Sequence, residues 1–217
     1  MSLFEKMILK AERTLEQMST APDPMQLTSA RLALELELSS YKEMLEFWQE
    51  GKPLLPYFPS ANLARALGSM SIVYADVFLF LQVLDEIPRY IRAAASLGMP
   101  EYMCDLLDLP TAAGLVGDLP PTSLGVVCSY GTCHIWPYHL KLLAEHSGAP
   151  IFELDTPQDY SEESVKYLAT QLGQLVEFAE SNVPGLKYDE EAHRALIEVN
   201  RAWIEYCTKD WNLRKNI

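Results

Sequence analysis

Two short apolar segments, each followed by a helical pattern, constrain the fold of this chain more than any other feature. Residues 123–128 form a nearly continuous apolar run, and residues 150–155 form a second one. Such runs are typical of strands buried on both faces of a parallel sheet. Helical patterns follow at residues 136–146 and 161–181. This order predicts an α/β fold, a helix-covered parallel sheet of the Rossmann or flavodoxin-like type.

The chain on either side of these segments is expected to be helical. Leucine occupies every second position of residues 32–38, which also fits a strand, but the strong helix formers around it favour a helix. Residues 1–50 are therefore interpreted as an N-terminal helical segment. Residues 51–185 are assigned to the α/β lobe, and residues 186–217 to a long C-terminal helix.

Shorter elements are expected between the helical segment and the apolar runs. Ser60 is predicted to cap a short helix that ends at Gly68. Residues 71–74 are predicted to form a strand, and the helix that follows is expected to be kinked or divided at Pro88.

Composition and charge exclude several classes of function. The net charge is −13 at pH 7, and no cluster of lysine and arginine offers a surface for a phosphate backbone. Binding to nucleic acid or to an anionic membrane is therefore not expected. The first residues lack a signal-peptide pattern, and the most apolar stretch, residues 72–84, is too short to cross a bilayer. Because the four cysteines are expected to be thiols or metal ligands, we predict a cytoplasmic protein.

Cysteines near the predicted strand ends are candidate ligand-binding residues. In open parallel sheets, ligands bind beyond the carboxyl ends of the strands. Cys133 follows the first strand in a loop with Gly131, and soft thiolates suit iron–sulfur clusters. On the residues alone, Cys133 is either a ligand or a packing residue. Cys128, at the end of the apolar strand, is interpreted as a core residue.

The histidines are weaker candidates. His134 adjoins Cys133, and it either hydrogen-bonds a cluster sulfur or substrate or lies exposed in the loop. His139 and His146 share a helix with charged residues and are interpreted as solvated. The sequence contains no zinc-protease, P-loop or dinucleotide-binding motif.

Three segments together resemble those of a known enzyme family. Residues 98–105 form a glycine-led segment that contains Cys104. Residues 131–136, Gly-Thr-Cys-His-Ile-Trp, form a second cysteine loop, and residues 148–157 end in Asp-Thr-Pro. In this order the segments resemble the 2-hydroxyacyl-CoA dehydratase and benzoyl-CoA reductase family. The resemblance extends from about residue 25 to the end of the sequence.

The resemblance implies a protein of two lobes, each a helix-covered parallel sheet, with a [4Fe-4S] cluster between them. Three cysteines hold the cluster in such proteins, and Cys104 and Cys133 match the two from the first lobe. The third comes from a second lobe that this sequence is not expected to contain. Cys207 falls in the interlobe helix and is interpreted as a packing residue. The chain is thus expected to be a D-component-like N-terminal lobe that is inactive alone.

The resemblance also implies an activity and partners. The substrate would be an acyl-CoA thioester, and an ATP-dependent activator protein would deliver the electron that drives dehydration or ring reduction. A related subunit would complete a heterodimer. Asn62 and His134 are the candidate catalytic residues. Asn62 stands where the family segment carries an acidic residue, so it can hydrogen-bond but cannot exchange a proton in the same way.

Two alternative functions stay open at this point. The first is a noncatalytic scaffold or assembly relative that lacks a complete cluster, which agrees with Asn62 and with the missing third ligand. The second is a flavodoxin-like small-molecule binder whose cysteines are incidental.

Overall fold

The computed structural model describes residues 1–20, 28–56, 58–100, 104–128, 133 and 135–214, without the side chains of some of them. The described residues form helices and short strands in a mixed α/β arrangement, as the sequence predicts. In chain order the elements are α1 (Leu3–Thr20), α2 (Thr28–Gln49), β1 (Leu54–Pro56), α3 (Ala61–Ala66), β2 (Met70–Ile72), α4 (Tyr74–Val83), α5 (Ile87–Ser96), α6 (Asp105–Leu115), β3 (Gly125–Cys128), α7 (Trp136–Ser147), β4 (Ile151–Leu154), α8 (Glu162–Asn182) and α9 (Glu190–Arg214).

The strands pair in parallel, which confirms that part of the sequence prediction. β1 pairs with β2, and β3 pairs with β4, with Gly125 opposite Ile151 at the start of the second pair. Between the pairs, the Ser123 amide donates to the Leu54 carbonyl at 3.3 Å. Among the described residues the strands thus form two small sheets rather than one. A single Rossmann or flavodoxin-like sheet stays a prediction.

Helices cover the strands on both faces. Leu54 of β1 contacts a core cluster that α1, α2 and α4–α7 supply, whereas Leu55 contacts a second cluster that α3 and α8 supply. Successive side chains of a strand point to opposite faces, so neighbouring residues enter different cores. Because α1 and α2 contribute to the first core, the N-terminal helices pack on the α/β elements. The boundaries at residues 50 and 185 stay predictions.

The structure confirms the predicted helices whose ends are marked by a capping residue or a proline. Both N-terminal helices are present, and α2 confirms the helix at residues 32–38. Ser60 caps α3, its side chain accepting from the Leu63 amide at 3.3 Å. The division near Pro88 is also confirmed, since α4 ends before Asp85, which has φ of 56°, and Pro88 lies in the first turn of α5. No described helix combines the length and apolar character needed to cross a membrane.

The connection between α8 and α9 is held on the end of α3 by backbone groups. The Lys187 amide donates to the Leu67 carbonyl at 3.1 Å, and the Asp189 amide donates to the Ala66 carbonyl at 2.8 Å. These carbonyls lie at a helix C-terminus, where they lack intrahelical partners. The connection therefore fixes the start of α9 on α3.

The close packing of β3 on α7 depends on Gly125. A methyl group at Gly125 would lie 2.7 Å from Cβ of Ala144, which is held by the helix backbone. A methyl group at Gly114 of α6 would also lie 2.7 Å from a neighbour, but that atom is Cδ2 of the flexible Leu143 side chain. We expect Gly125→Ala to lower the free energy of unfolding by about 2 kcal/mol, because the backbones must separate.

Gly114→Ala is the matched control for this prediction. Its overpacking is relieved by rotation of Leu143 and offset by the helix propensity of alanine, so a change below about 1 kcal/mol is expected. Urea unfolding followed by circular dichroism measures both variants. Equal losses in the two would contradict the importance of the strand–helix contact.

Candidate functional site

Cys104 lies immediately before α6, at the N-cap position of that helix. Its carbonyl accepts hydrogen bonds from the amides of Leu107 at 2.8 Å and Asp108 at 2.9 Å. The thiol makes no capping hydrogen bond and is partly exposed. The sulfur is therefore available to a ligand at a helix end that carries partial positive charge.

Cys133 lies between β3 and α7, shortly before the first residue of that helix. It is partly buried and contacts the first core cluster, as do its neighbours Ile135 and Trp136. The packing positions Cys133 close to the start of α7. Gly131 and His134 lie outside the described residues, so the role of His134 stays a prediction.

Two contacts show that α6 and α7 run side by side in the same direction. Near their starts, Nε2 of His139 lies 3.1 Å from Oδ1 of Asp108. Further along both helices, Gly114 packs against the Leu143 side chain. Since both contacts advance in the same sense, the N-terminal ends of the two helices lie at the same end of the pair. Cys104 and Cys133, which precede these helices, are therefore brought to one end.

A buried polar cluster lies one turn below this end of the helix pair. Asp108, Thr111 and His139 are 5%, 0% and 1% exposed. Oδ1 of Asp108, Oγ1 of Thr111 and both ring nitrogens of His139 have no hydrogen-bond partner in the part of the chain that is described. The 3.1 Å contact between Asp108 and His139 is thus close but lacks the direction of a hydrogen bond. Buried groups of this kind are uncommon, and they concentrate at functional sites.

Burial shifts both titrating groups of this cluster toward their neutral forms. It raises the pKa of Asp108 to about 6, with a smaller contribution from the Asp105 carboxylate. It lowers the pKa of His139 to about 4. Between these two values the contact joins a carboxylic acid and a neutral imidazole, so neither a buried anion nor a buried cation is present.

The prediction that His139 is solvated is wrong. The residue lies on the buried face of α7, four positions before Leu143 and next to Leu140, both of which are buried. Helical periodicity alone places residues 139 and 143 on one face, so this signal was present in the sequence. His146, near the end of α7, is exposed as predicted.

The other cysteines and strand ends have different surroundings. Cys128 ends β3 and contacts the second core cluster, and burial raises the pKa of its thiol, which supports the interpretation as a core residue. Asp155, after β4, accepts a hydrogen bond from the Tyr167 hydroxyl at 2.7 Å. Cys207 lies within α9, and its side chain is outside the described residues.

Asn62 has a contact of its own at the start of α3. Its side-chain nitrogen donates to the carbonyl of Leu196 in α9 at 3.5 Å, a long hydrogen bond. The asparagine thus links α3 to α9. A role of Asn62 toward a substrate stays a prediction.

The part of the chain that carries both cysteine segments matches a known family. The model of that family, 2-hydroxyglutaryl-CoA dehydratase, D-component, matches residues 57–217. The chain belongs to this family. The match to the D-component family includes Cys104, Cys133 and all elements from α3 to α9, whereas α1 and α2 precede it. A comparison with curated proteins found no match.

The two thiols at the N-terminal ends of α6 and α7 fit part of the ligand set of the iron–sulfur cofactor for which the D-component family is known. Two thiols lie at one end of a helix pair, and thiolate sulfur is the usual ligand of such clusters. Within the described ranges, however, no group of three or more His, Cys, Asp or Glu residues could hold a metal ion. That Cys104 and Cys133 supply two ligands stays a prediction, and any third ligand would come from outside the described residues.

Proposed function

We propose that this chain is the N-terminal lobe of an iron–sulfur subunit of a 2-hydroxyacyl-CoA dehydratase or a benzoyl-CoA reductase-like enzyme. In this proposal Cys104 and Cys133 hold part of a [4Fe-4S] cluster, and the substrate is an acyl-CoA thioester. The observation that carries it is the parallel packing of α6 and α7, which brings the two cysteines to one end of the pair. Membership of the D-component family supports the same assignment.

The residues of this chain would act mainly by binding and positioning. The two thiolates would coordinate iron, and the N-terminal ends of α6 and α7 would stabilise the negative charge of a thiolate-bound group. When bound, the cluster supplies single electrons at low potential. Asp108 and His139 fix the spacing between the helix starts without adding charge at about pH 5, where both are neutral.

The proposal includes partners and a compartment. The D-component name implies a second subunit and an activator in the family. We extend this to a heterodimer with a related subunit and to an ATP-dependent activator protein as electron donor. A cytoplasmic location agrees with the free thiols of Cys104, Cys128 and Cys133.

A noncatalytic scaffold of the same family is the second candidate. One observation favours it: within the described residues, no group of three or more potential metal ligands includes the two cysteines. The resemblance stated above, which implies a carboxylate at the position of Asn62, agrees with it. A scaffold would keep the helix packing without binding iron.

Iron analysis separates the two candidates. The chain is purified without oxygen, alone and as a complex that contains the second lobe and a related subunit, and iron, acid-labile sulfide and the electron paramagnetic resonance spectrum are measured. The proposal expects about four iron and four sulfide per chain in the complex. It also expects consumption of a 2-hydroxyacyl-CoA or reduction of benzoyl-CoA when activator and ATP are added. Absence of iron from both preparations, after incubation with iron and sulfide, would favour the scaffold.

A further inference from the structure

A groove that contains neither cysteine lies between α1, α2 and α4. Its cavity has a volume of about 280 Å³, and apolar side chains from α2 and α4 form much of its wall. A second cavity of about 300 Å³ adjoins it toward α3. We call this continuous surface the α1–α2–α4 groove; its apolar wall consists of Leu34, Leu79, Phe80 and Val83. Leu79 and Val83 are more than half exposed, so apolar surface remains open to a ligand.

Three oxygen-bearing side chains line both cavities at the centre of the groove. They are Glu37 and Tyr41 of α2 and Asp76 of α4. Tyr41 is only 5% exposed, and its ring packs edge-on against Phe80 with centroids 5.0 Å apart. Its hydroxyl makes no hydrogen bond to any described residue, and the side chain lines the groove. The phenol therefore provides an unused polar group in the groove.

The carboxylates of the groove also lack a cation among the described residues. Neither Glu37 nor Asp76 forms an ion pair there. Arg65, at the far end of the groove, is engaged by Glu43, to which its Nη2 donates at 2.7 Å. Lys10 lines the groove but does not lower the pKa of either carboxyl group. Among the described residues, the two carboxyl groups at the centre of the groove therefore have no ion-pair partner.

The pKa values of Glu37, Asp76 and Tyr41 shift in the direction expected where no positive charge stabilises their ionised forms. Burial and the neighbouring Asp76 carboxylate raise the pKa of Glu37, and burial raises the pKa of Asp76. Burial, with the charges of both carboxylates, raises the pKa of Tyr41. A cation placed between them would oppose these shifts, because an opposite charge favours the ionised forms of the carboxyl groups.

We infer that the α1–α2–α4 groove binds a primary ammonium group carried on an alkyl chain. An ammonium group has three hydrogen-bond donors, and Glu37, Tyr41 and Asp76 offer three acceptor groups. The apolar wall suits the alkyl chain, and the rings of Tyr41 and Phe80 attract a cation. A divalent metal ion fits less well, since the groove has only two carboxylates and no group of three or more His, Cys, Asp or Glu residues that could hold a metal ion is found among the described residues.

The size of the groove limits the ligand to a small molecule or one side chain. A cavity of about 280 Å³ lies at the lower end of the range for small-molecule sites. A lysine side chain of a partner protein and a free alkylamine share the required chemistry. Both sources are compared directly in the experiment below.

The test is a nuclear magnetic resonance titration of the ¹⁵N-labelled chain with hexylammonium and, separately, with 1-hexanol. Hexylammonium is expected to bind at least about tenfold more tightly, because charge-assisted hydrogen bonds to the carboxylates are absent with the alcohol. Equal binding of the two compounds would overturn the inference. Tighter binding of Ca²⁺ than of hexylammonium at the same residues would also overturn it.

Variants locate the site. Glu37→Gln and Asp76→Asn are each expected to weaken hexylammonium binding about tenfold, and Tyr41→Phe about threefold. Lys10→Gln is expected to strengthen it by removing a like charge. Glu46→Gln is the matched control, because Glu46 lies on α2 outside the groove, and it should have no effect. Unchanged binding in both carboxylate variants would contradict the assignment.

Two further ligands distinguish the source of the ammonium group. Acetyl-Leu-Lys-Leu-amide presents a lysine side chain, and the same peptide with an acetylated lysine is its neutral control. Tighter binding of the lysine peptide than of hexylammonium would support a partner protein, and the reverse order would support a free alkylamine. Binding of the acetylated peptide as tightly as the lysine peptide would overturn the ammonium requirement. None of these measurements depends on the proposed cluster.

Discussion

Replacing Cys104 or Cys133 with alanine is expected to remove at least about nine tenths of the iron and sulfide from the anaerobically purified complex. Each thiolate would supply one iron–sulfur bond, and with one of them removed this chain would hold the cluster through a single cysteine. The measurement is iron and sulfide content together with the visible absorption spectrum. Dehydratase or reductase activity should fall at least as far as the iron content.

Cys128→Ala is the control for both cysteine variants. Cys128 is half-buried against the second core, so its replacement by alanine is expected to lower the free energy of unfolding by about 1 kcal/mol. Iron should be retained. Unfolding curves of all three variants show whether each remains folded. Retention of iron in the Cys104 variant, combined with its loss in the Cys128 variant, would show that the ligand assignment is wrong.

His139→Gln is expected to lower the free energy of unfolding by about 3 kcal/mol at pH 7.5, because the ring fills a buried space beside Asp108. The loss should be smaller at acidic pH. The pKa of His139 is about 4 when folded, against about 6.5 in an unfolded chain. Below pH 6.5 the unfolded wild type takes up a proton that the folded wild type excludes, so the wild type loses stability as pH falls toward 4.

The glutamine variant lacks this titration, so its disadvantage should shrink by about 2 kcal/mol between pH 7.5 and pH 5. Asp108, whose raised pKa gives the opposite slope, is present in both proteins and largely cancels. His146→Gln is the control, because His146 is exposed on the same helix and its replacement should cost little stability. Urea unfolding at both pH values measures the effect. A pH-independent loss in His139→Gln would contradict the neutral, buried imidazole.

The sequence allowed prediction of helices whose ends are marked by capping residues. It did not allow prediction of helix α6, which depends on tertiary contacts. Ser60 and Gly148 mark helix ends through a side-chain cap and a left-handed turn, which are visible in the residues themselves. Helix α6 contains Pro110 and Gly114, both poor helix formers, and was not predicted. Burial of its apolar residues against neighbouring helices outweighs these preferences.

The candidate site was predictable only in part. The positions of Cys104 and Cys133 followed from a resemblance between segments, but the contact that brings their helices together did not. Asp108 and His139 lie on different helices, and neither pattern nor spacing in the chain identifies such a pair. The length of the strands was also overestimated, since apolar character continues beyond the residues that pair. Pairing depends on the neighbouring strand, which the sequence does not reveal.

Because the α8–α9 connection is attached to α3 through its backbone, a small rotation at the start of α9 gives a larger displacement at its far end. Helix α9 has 25 residues and is about 37 Å long, so a rotation of 5° at its start would move its far end by about 3 Å. The Lys187 and Asp189 amides that attach the connection to α3 belong to the main chain. Substitution of either residue by any residue other than proline therefore leaves both hydrogen bonds available. Small displacements of α3, which carries Asn62, would thus appear enlarged at the distant end of α9.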